Sequence, residues 1–412
     1  MEYGLIGEHL SHSYSKQIHE LLGHYSYEIK SIAPGDVPDF LLKKQFKGIN
    51  VTIPYKKTVI PFCDTVSPVA QRIGSVNTIT VDEDGKLCGD NSDYFGFLYM
   101  VQNANITFTN KKVLVLGSGG TARTVQAVAE DCGAKEITVV SRTGPVNYEN
   151  VYEQEGVDII VNATPVGMYP NTENAPVELS RFPHCSGVLD VTYNPLFSRL
   201  LLQAKRLGIP FTNGLSMLAA QAKYSSDLFF RQNTPLERVD GIVRELTARF
   251  TNIVLIGMPG SGKTTVGKLL AQDTQKFFAD TDAMIEEEAG ITIPEIFEKF
   301  GEEYFRDLES AVISKIGKEK GQVIATGGGA VLRRENYLNL KQNGFIVFLK
   351  RDVASLESKG RPLSAGTEAI EKLYEKRLPL YREYCDAEMD GNGTPNEAAK
   401  KVLEVYDENT CH

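Results

Sequence analysis

The sequence predicts an α/β chain built on parallel sheets, and two glycine-rich loops carry that prediction. Each follows a short apolar, β-branched run and leads into a helical stretch: Lys112 to Leu116 before Gly117, and Ile253 to Ile256 before Gly257. Runs of that kind suit strands covered on both faces, the usual setting of a parallel sheet. At 412 residues the chain is too long for one ordinary core, so two or three domains are expected.

Hydrophobic residues make up 42% of the chain and charged residues 24%, the balance of a water-soluble globular protein. A net charge of −9 argues against a nucleic-acid-binding surface. No apolar run approaches the length of a membrane span, and the opening Met-Glu-Tyr-Gly lacks the basic and apolar parts of a signal peptide. The six cysteines are scattered without C-x-x-C spacing, which predicts unpaired thiols in a reducing compartment. A cytoplasmic protein with small-molecule partners and no membrane partner is expected; a monomer and a homodimer both stay open.

In chain order, Leu5-Ile6-Gly7 ends a strand, and His12-Ser13-Tyr14-Ser15 precedes a helix starting near Lys16. Gly48 to Lys56 alternates apolar and polar residues up to Pro54, which predicts that Asn50, Thr52 and Lys56 emerge at one strand end. Ser75 to Thr78 and Gly89 to Asp93 add amides, hydroxyls and a carboxylate. Such an inventory suits a polyhydroxylated substrate with one proton-transfer centre.

In the middle segment, Gly117-Ser118-Gly119-Gly120-Thr121-Ala122 has the G-x-G-x-x-A spacing of a dinucleotide-binding turn between strand and helix. The next strand, Glu136 to Val140, ends in Ser141-Arg142-Thr143. A cation at that place, where an acidic residue would favour NAD, suits the 2′-phosphate of NADP. Val157 to Val161 and Leu189 to Val191 supply further strands, leading to Asn162-Ala-Thr164 and to Tyr193. A Rossmann-like, doubly wound domain follows. Asn213-Gly214, Met217 and Gln221 then open a helical run, and the charged helix Leu236 to Arg249 precedes a fresh domain.

That domain begins with Gly257-x-x-Gly260-Ser261-Gly262-Lys263-Thr264-Thr265, a phosphate-binding loop. Its backbone N–H groups can surround phosphate oxygens, Lys263 can reach the β- and γ-phosphates, and Thr264 can ligate Mg²⁺. Phe277 to Asp280, Val323 to Thr326 and Phe345 to Leu349 read as strands, with Asp280 and Asp282 alternating after the first. Arg333, Arg334 and Arg351 read as solvated surface residues.

Across about the first 245 positions the chain resembles the shikimate dehydrogenases. The motifs stand here as His12 to Ser15, Asn50 to Lys56, Val76 to Thr78, Asp90 to Asp93, Gly117 to Ala122, Ser141 to Thr143, Asn162 to Met168 and Asn213 to Gln221. The resemblance implies that Ser13, Ser15, Thr52, Lys56, Asn77, Asp93, Tyr193 and Gln221 hold shikimate, with Lys56 and Asp93 as the catalytic pair. It implies an NADP site at Gly117 to Ala122, Ser141 to Thr143, Thr164, Gly214 and Met217. Lys16 and Ser141 stand where that family usually has proline and asparagine.

The last 160 or so residues resemble the shikimate kinases, P-loop enzymes with a parallel sheet. Their motifs are Gly257 to Thr264, Asp280 to Asp282, Phe305-Arg306-x-x-Glu309, Gly327 to Gly329, Arg361-Pro-Leu and Arg377 to Tyr381. The resemblance implies that Arg306, Arg377, Gly328 and Gly329 grip shikimate and that Asp282 takes the proton of its 3-hydroxyl. Asp280 would support Mg²⁺ beside Thr264, and Arg361 would close on ATP from a lid. Together the two resemblances imply a bifunctional enzyme with residues 1–249 as the dehydrogenase and 250–412 as the kinase. Within the first, 1–103 and 213–249 would form the substrate domain and 104–212 the NADP domain. A quinate- and NAD-preferring dehydrogenase, an inactive half, and a kinase for another small molecule are the alternatives.

Overall fold

The computed structural model describes residues 1–10, 13–356 and 367–410. Its strands form three sheets. The first is mixed, in the order β2-β1-β3-β5-β6-β4, from β1 (Tyr3–Gly7), β2 (Glu28–Ser31), β3 (Gly48–Val51), β4 (Thr65–Val66), β5 (Thr78–Val81) and β6 (Leu87–Asp90). β5 runs antiparallel to β3 and β6; the other pairs are parallel.

The second sheet is wholly parallel, in the order β11-β10-β9-β7-β8. Its strands are β7 (Lys112–Leu116), β8 (Glu136–Val140), β9 (Ile159–Asn162), β10 (Gly187–Asp190) and β11 (Phe211–Thr212). β7 lies between β8 and β9, so the chain turns outward in both directions from it, the switch point at which sheets of this kind bind ligands beyond the strands' C-terminal ends. Apolar clusters cover both faces, one around Phe97, Val115, Val125 and Leu189 and one around Leu114, Val140, Ile160 and Leu200.

The third sheet is again parallel, in the order β13-β14-β12-β15-β16. It comprises β12 (Asn252–Ile256), β13 (Phe277–Asp280), β14 (Gln322–Ala325), β15 (Gly344–Lys350) and β16 (Ala387–Asp390). β12 is the switch strand here, with β14 on one side and β15 on the other.

The chain divides into two compact units. One holds Met1–Met168, Asn174–Tyr193 and Leu200–Val243; the other holds Tyr169–Glu173, Asn194–Arg199 and the chain from Arg244 onward. The division falls inside the helix Leu236–Phe250. The last turn of that helix belongs with the third sheet, where the Tyr406 hydroxyl donates to Ala248 O at 2.6 Å.

Three readings need correcting. Asn50 does not emerge beside Thr52: its side chain accepts from the Tyr27 hydroxyl at 2.7 Å and donates to Ser225 Oγ at 2.7 Å and Thr78 Oγ1 at 3.1 Å. It stitches β3 to β5 and to the helix Leu215–Phe230. Arg333 is paired with Asp307 and Glu303. Arg351 lines the cleft beside the phosphate-binding loop. The thiols expected to be unpaired are free at Cys63, Cys88, Cys132, Cys185 and Cys385. Among the described residues no helix is long and apolar enough to cross a membrane. Arg361 and the rest of its motif lie outside the described residues, as does His12.

Candidate active sites

In the first unit, the cis Ile53–Pro54 peptide follows β3, and Lys56 stands just beyond it. Asp93 sits in the first turn of the helix Ser92–Asn103, with its side chain only 8% exposed. Lys56 Nζ donates to Asp93 Oδ2 at 2.6 Å, and Asn77 Nδ2 donates to Asp93 Oδ1 at 2.9 Å. Both carboxylate oxygens are therefore fixed. Asn77 is fixed in turn, because its Oδ1 accepts from Ser92 N at 2.7 Å. Ser92, Thr78 and Ser225 hydroxyls bond to one another beneath it, at 3.0 to 3.2 Å. Ser225 escaped the sequence reading, since a serine in mid-helix carries no motif. Its spacing of four from Gln221 was the available signal.

Ser15 opens the helix Ser15–Leu22, and its N–H donates to Ser13 Oγ at 3.3 Å. Tyr193 lies edge-on to Tyr14, with ring centroids 5.9 Å apart, and burial pushes its phenol up to about 12. Thr52 follows β3 against Gly7 at the end of β1. Gln221 packs against Gly96 of the Asp93 helix. Among the described residues, no hydrogen bond joins Ser13, Ser15, Thr52, Tyr193 or the Gln221 side chain to the Lys56–Asp93 pair.

The dinucleotide turn leads from β7 into the helix Gly120–Asp131. No side chain caps that helix at Gly119, and nothing stands within 4 Å of where a Cβ would project from Gly119 or Gly120. A helix N-terminus with no side-chain cap, opened by glycines with room around them, is what a pyrophosphate needs, so the residues present fit a dinucleotide. Thr164 is held by Asn162 Oδ1, which accepts its N–H at 3.0 Å and its hydroxyl at 2.7 Å. Gly214 passes so close to Val191 that a Cβ would lie 2.0 Å from its carbonyl oxygen; only glycine fits there. Met217 is buried in the apolar cluster around Phe97. Arg142 and Thr143 are exposed after β8, and Ser141 Oγ lies over the Gly144 turn. The Arg142 charge offsets part of the upward push that burial gives Tyr148.

In the second unit a cleft of about 430 Å³ holds the phosphate-binding loop together with Asp280, Asp282, Arg306, Gly327, Gly328 and Arg377. Gly257, Gly260 and Gly262 take φ of 146°, 82° and 92°, which turn the loop tightly into the helix Lys263–Thr274. Ser261 is buried in the loop. Lys263 Nζ donates to Gly257 O and Met258 O, both at 2.9 Å. Thr264 Oγ1 donates to Asp280 Oδ2 at 2.7 Å, and Asp280 Oδ1 caps the helix Thr281–Ala289 by accepting from Asp282 N at 3.1 Å. Oxygen donors on Thr264 and Asp280, at the mouth of a phosphate-binding loop, fit Mg²⁺ shared with phosphates.

Opposite them, the helix Ile293–Ile316 kinks at Gly301 before presenting Arg306 and Glu309. Arg306 Nη1 donates to Glu309 Oε2 at 2.8 Å, and its guanidinium lies so close to Gly329 that a Cβ there would meet Nη1 at 2.2 Å. Arg377, from the helix Thr367–Tyr384, donates to Gly328 O at 3.0 Å, and Tyr381 donates to the same oxygen at 2.5 Å. Glu309 is fully buried, which raises its pKa against the opposing effect of Arg306. Its Oε1 has no partner among the described residues. Asp282 Oδ1 and Glu309 Oε1 both face the place where a Gly327 side chain would stand, at 2.6 and 2.8 Å.

Against known proteins, a little over half of the chain finds relatives. The shikimate dehydrogenase (NADP(+)) of Clostridium beijerinckii is 37% identical over 247 residues, 55% of this chain and 91% of the relative. The chain belongs to the shikimate dehydrogenase family. The family model for the shikimate dehydrogenase substrate-binding domain matches residues 5–79. A chorismate mutase/shikimate 5-dehydrogenase fusion protein from Clostridium acetobutylicum superimposes with a TM-score of 0.56 at 34% identity. It covers 59% of this chain and 96% of its own. The Thermus thermophilus shikimate 5-dehydrogenase in complex with NADP(H) and shikimate gives 0.53 at 29%, covering 60% and 99%. Beyond the dehydrogenase portion, the shikimate kinase model matches residues 259–407. The chain thus resembles a fusion of two shikimate-pathway enzymes, with α/β folds on parallel sheets in both parts.

Proposed function

We propose that the chain reduces 3-dehydroshikimate to shikimate with NADPH and then phosphorylates shikimate at its 3-hydroxyl with ATP and Mg²⁺. Residues 1–249 would perform the first reaction, with 104–212 holding NADP, and residues 250–412 the second. The observation that carries the reading is that each part gathers a complete set of reacting groups: Lys56 with Asp93 at 2.6 Å, and the phosphate-binding loop with Asp282, Arg306 and Arg377 in one cleft. The complex of the Thermus relative with NADP(H) and shikimate supports the ligands of the first part.

Bound NADPH supplies a hydride to the ketone carbon. As the carbonyl oxygen gains charge, Lys56 stabilises it and gives it a proton, while Asp93 orients Lys56 and accepts from the new hydroxyl. Ser13, Ser15, Thr52, Asn77, Tyr193 and Gln221 position the acid. Gly117 to Ala122 receive the pyrophosphate, Arg142 with Ser141 and Thr143 the 2′-phosphate, and Thr164, Gly214 and Met217 flank the nicotinamide end.

In the second part, bound ATP supplies the phosphoryl group and Mg²⁺ neutralises charge on it. Thr264 and Asp280 would hold the metal. Gly257 to Thr265 position the phosphates; Arg361, the remaining ATP contact that the resemblance implies, lies outside the described residues. Arg306 and Arg377, with the backbone at Gly328 and Gly329, hold the shikimate carboxylate and ring, a task suited to the arginine fork. Asp282 takes the proton of the attacking 3-hydroxyl. The new O–P bond forms as the bridge to the β-phosphate breaks, and positioning supplies most of the acceleration.

One assay tests both reactions. With 3-dehydroshikimate, NADPH and ATP–Mg²⁺ the protein is expected to form shikimate 3-phosphate, detected by mass spectrometry, with one NADPH and one ATP consumed per product. Preference for NAD and quinate would overturn the first assignment. ATP turnover indifferent to shikimate would overturn the second.

A further inference from the structure

We propose that Arg351 is a further nucleotide-binding residue, whose guanidinium meets the phosphates on the nucleoside side of the loop. The inference rests on the reading of the second cleft as an ATP site.

Arg351 directly follows β15, the neighbour of β12 on the side away from β14. Asp280 ends β13, Asp282 follows it, and Gly327 and Gly328 follow β14, so the phosphate acceptor belongs on that side. The rest of the nucleotide must leave toward β15 and β16. A second cavity of about 370 Å³ opens there, between Thr264, Thr265 and Pro395 at the start of the helix after β16.

Arg351 stands at the junction. It lines the same cleft as Gly260, Gly262 and Lys263, and its Nη1 lies 3.8 Å from where a Cβ would project from Gly262. Arg306 and Arg377 are bonded to Glu309 and to Gly328 O, but Arg351 Nε is buried with no acceptor among the described residues. A guanidinium donor held out of water without an acceptor is unfavourable, and phosphate oxygens match its fork. The loop lysine turns onto the loop carbonyls at Gly257 and Met258, so Arg351 is a separate cation on the outer lip.

Calorimetric titration of the full chain with ADP–Mg²⁺ and with inorganic pyrophosphate tests this. Arg351→Ala is expected to weaken both by about tenfold or more, the scale of a lost charge-assisted hydrogen bond. Arg351→Lys, which keeps the charge and stem, is expected to lose less. In turnover, KM for ATP should rise in both variants while KM for shikimate stays, which a general loosening of the cleft would not produce. Parent-like affinities in both variants would overturn the inference, as would a loss for ADP with none for pyrophosphate. Failure of the parent itself to bind either ligand would instead overturn the ATP reading. Should Arg351→Ala fail to fold, the Arg351→Lys titration decides.

Discussion

Lys56 carries the sharpest expectation at the residue scale. Its ammonium is the only cation bonded to Asp93 among the described residues, so on the proposed reaction Lys56→Ala would remove both the proton donor and the charge facing the forming alkoxide. NADPH-dependent reduction should fall by about 10²- to 10⁴-fold, measured as the decrease in kcat at saturating 3-dehydroshikimate. His19 makes a different prediction. It is buried, stacked on Tyr27 at 3.8 Å and bonded to Tyr25, and burial lowers its pKa from 6.5 to about 3. The folded protein therefore keeps a neutral imidazole where the unfolded chain binds a proton. Stability is full above pH 6.5 and is lost as pH falls toward 3, by about 2 kcal/mol between pH 7 and pH 5. Urea unfolding at the two pH values should show that loss in the parent, and His19→Gln should lack this part of the slope. Lys56, Asp93 and Asn77 were legible in the sequence because they sit in motifs. His19 and Ser225 were not, because burial is decided by neighbours far along the chain.

The turn from β13 into the helix Thr281–Ala289 shows one side chain doing two jobs at the scale of an element. Asp280 Oδ1 caps the helix while Oδ2 faces Thr264. The jobs can be separated, because serine also caps helices but offers no anionic ligand. Asp280→Ser should keep thermal stability within about 0.5 kcal/mol of the parent yet lose Mg²⁺-dependent ATP turnover, whereas Asp280→Ala should also cost about 1 kcal/mol of stability. Equal turnover in the parent and Asp280→Ser would remove Asp280 from the metal site. The alternation of Asp280 and Asp282 left them free to take different roles, and their places do differ: one ends the strand and the other lies in the first helical turn. Strands buried on both faces, such as β7, β12 and β15, were legible as apolar runs. The edge strands β2 and β16 read Glu-Ile-Lys-Ser and Ala-Glu-Met-Asp and were not, since an edge strand half in water needs no apolar run. Arg351 was misjudged for a related reason. A charged residue after a strand looks like surface until the fold shows that the strand adjoins the phosphate-binding loop.

The whole molecule joins two units, each with its own strands and apolar clusters, and that division suggests a measurement. Lys56→Ala should leave the second cleft intact, and Asp282→Asn should leave the Lys56–Asp93 pair intact, because Lys56 and Asp93 lie in one unit and Asp282 in the other. Each variant alone should therefore form shikimate 3-phosphate from 3-dehydroshikimate at least about 10²-fold more slowly than the parent, and Asp282→Asn should accumulate shikimate. Mixed in equal amounts, the two should restore the complete conversion, since shikimate is small and water-soluble and can leave one chain for another. The mixture should show a lag while free shikimate rises to the KM of the second reaction. If the parent passes its intermediate through solution, it should show a lag of the same origin, measurable by following NADPH loss and ADP release together. No lag in the parent beside a clear lag in the mixture would mean that shikimate reaches the second site without release. A mixture that restores nothing would mean that each variant had damaged both activities.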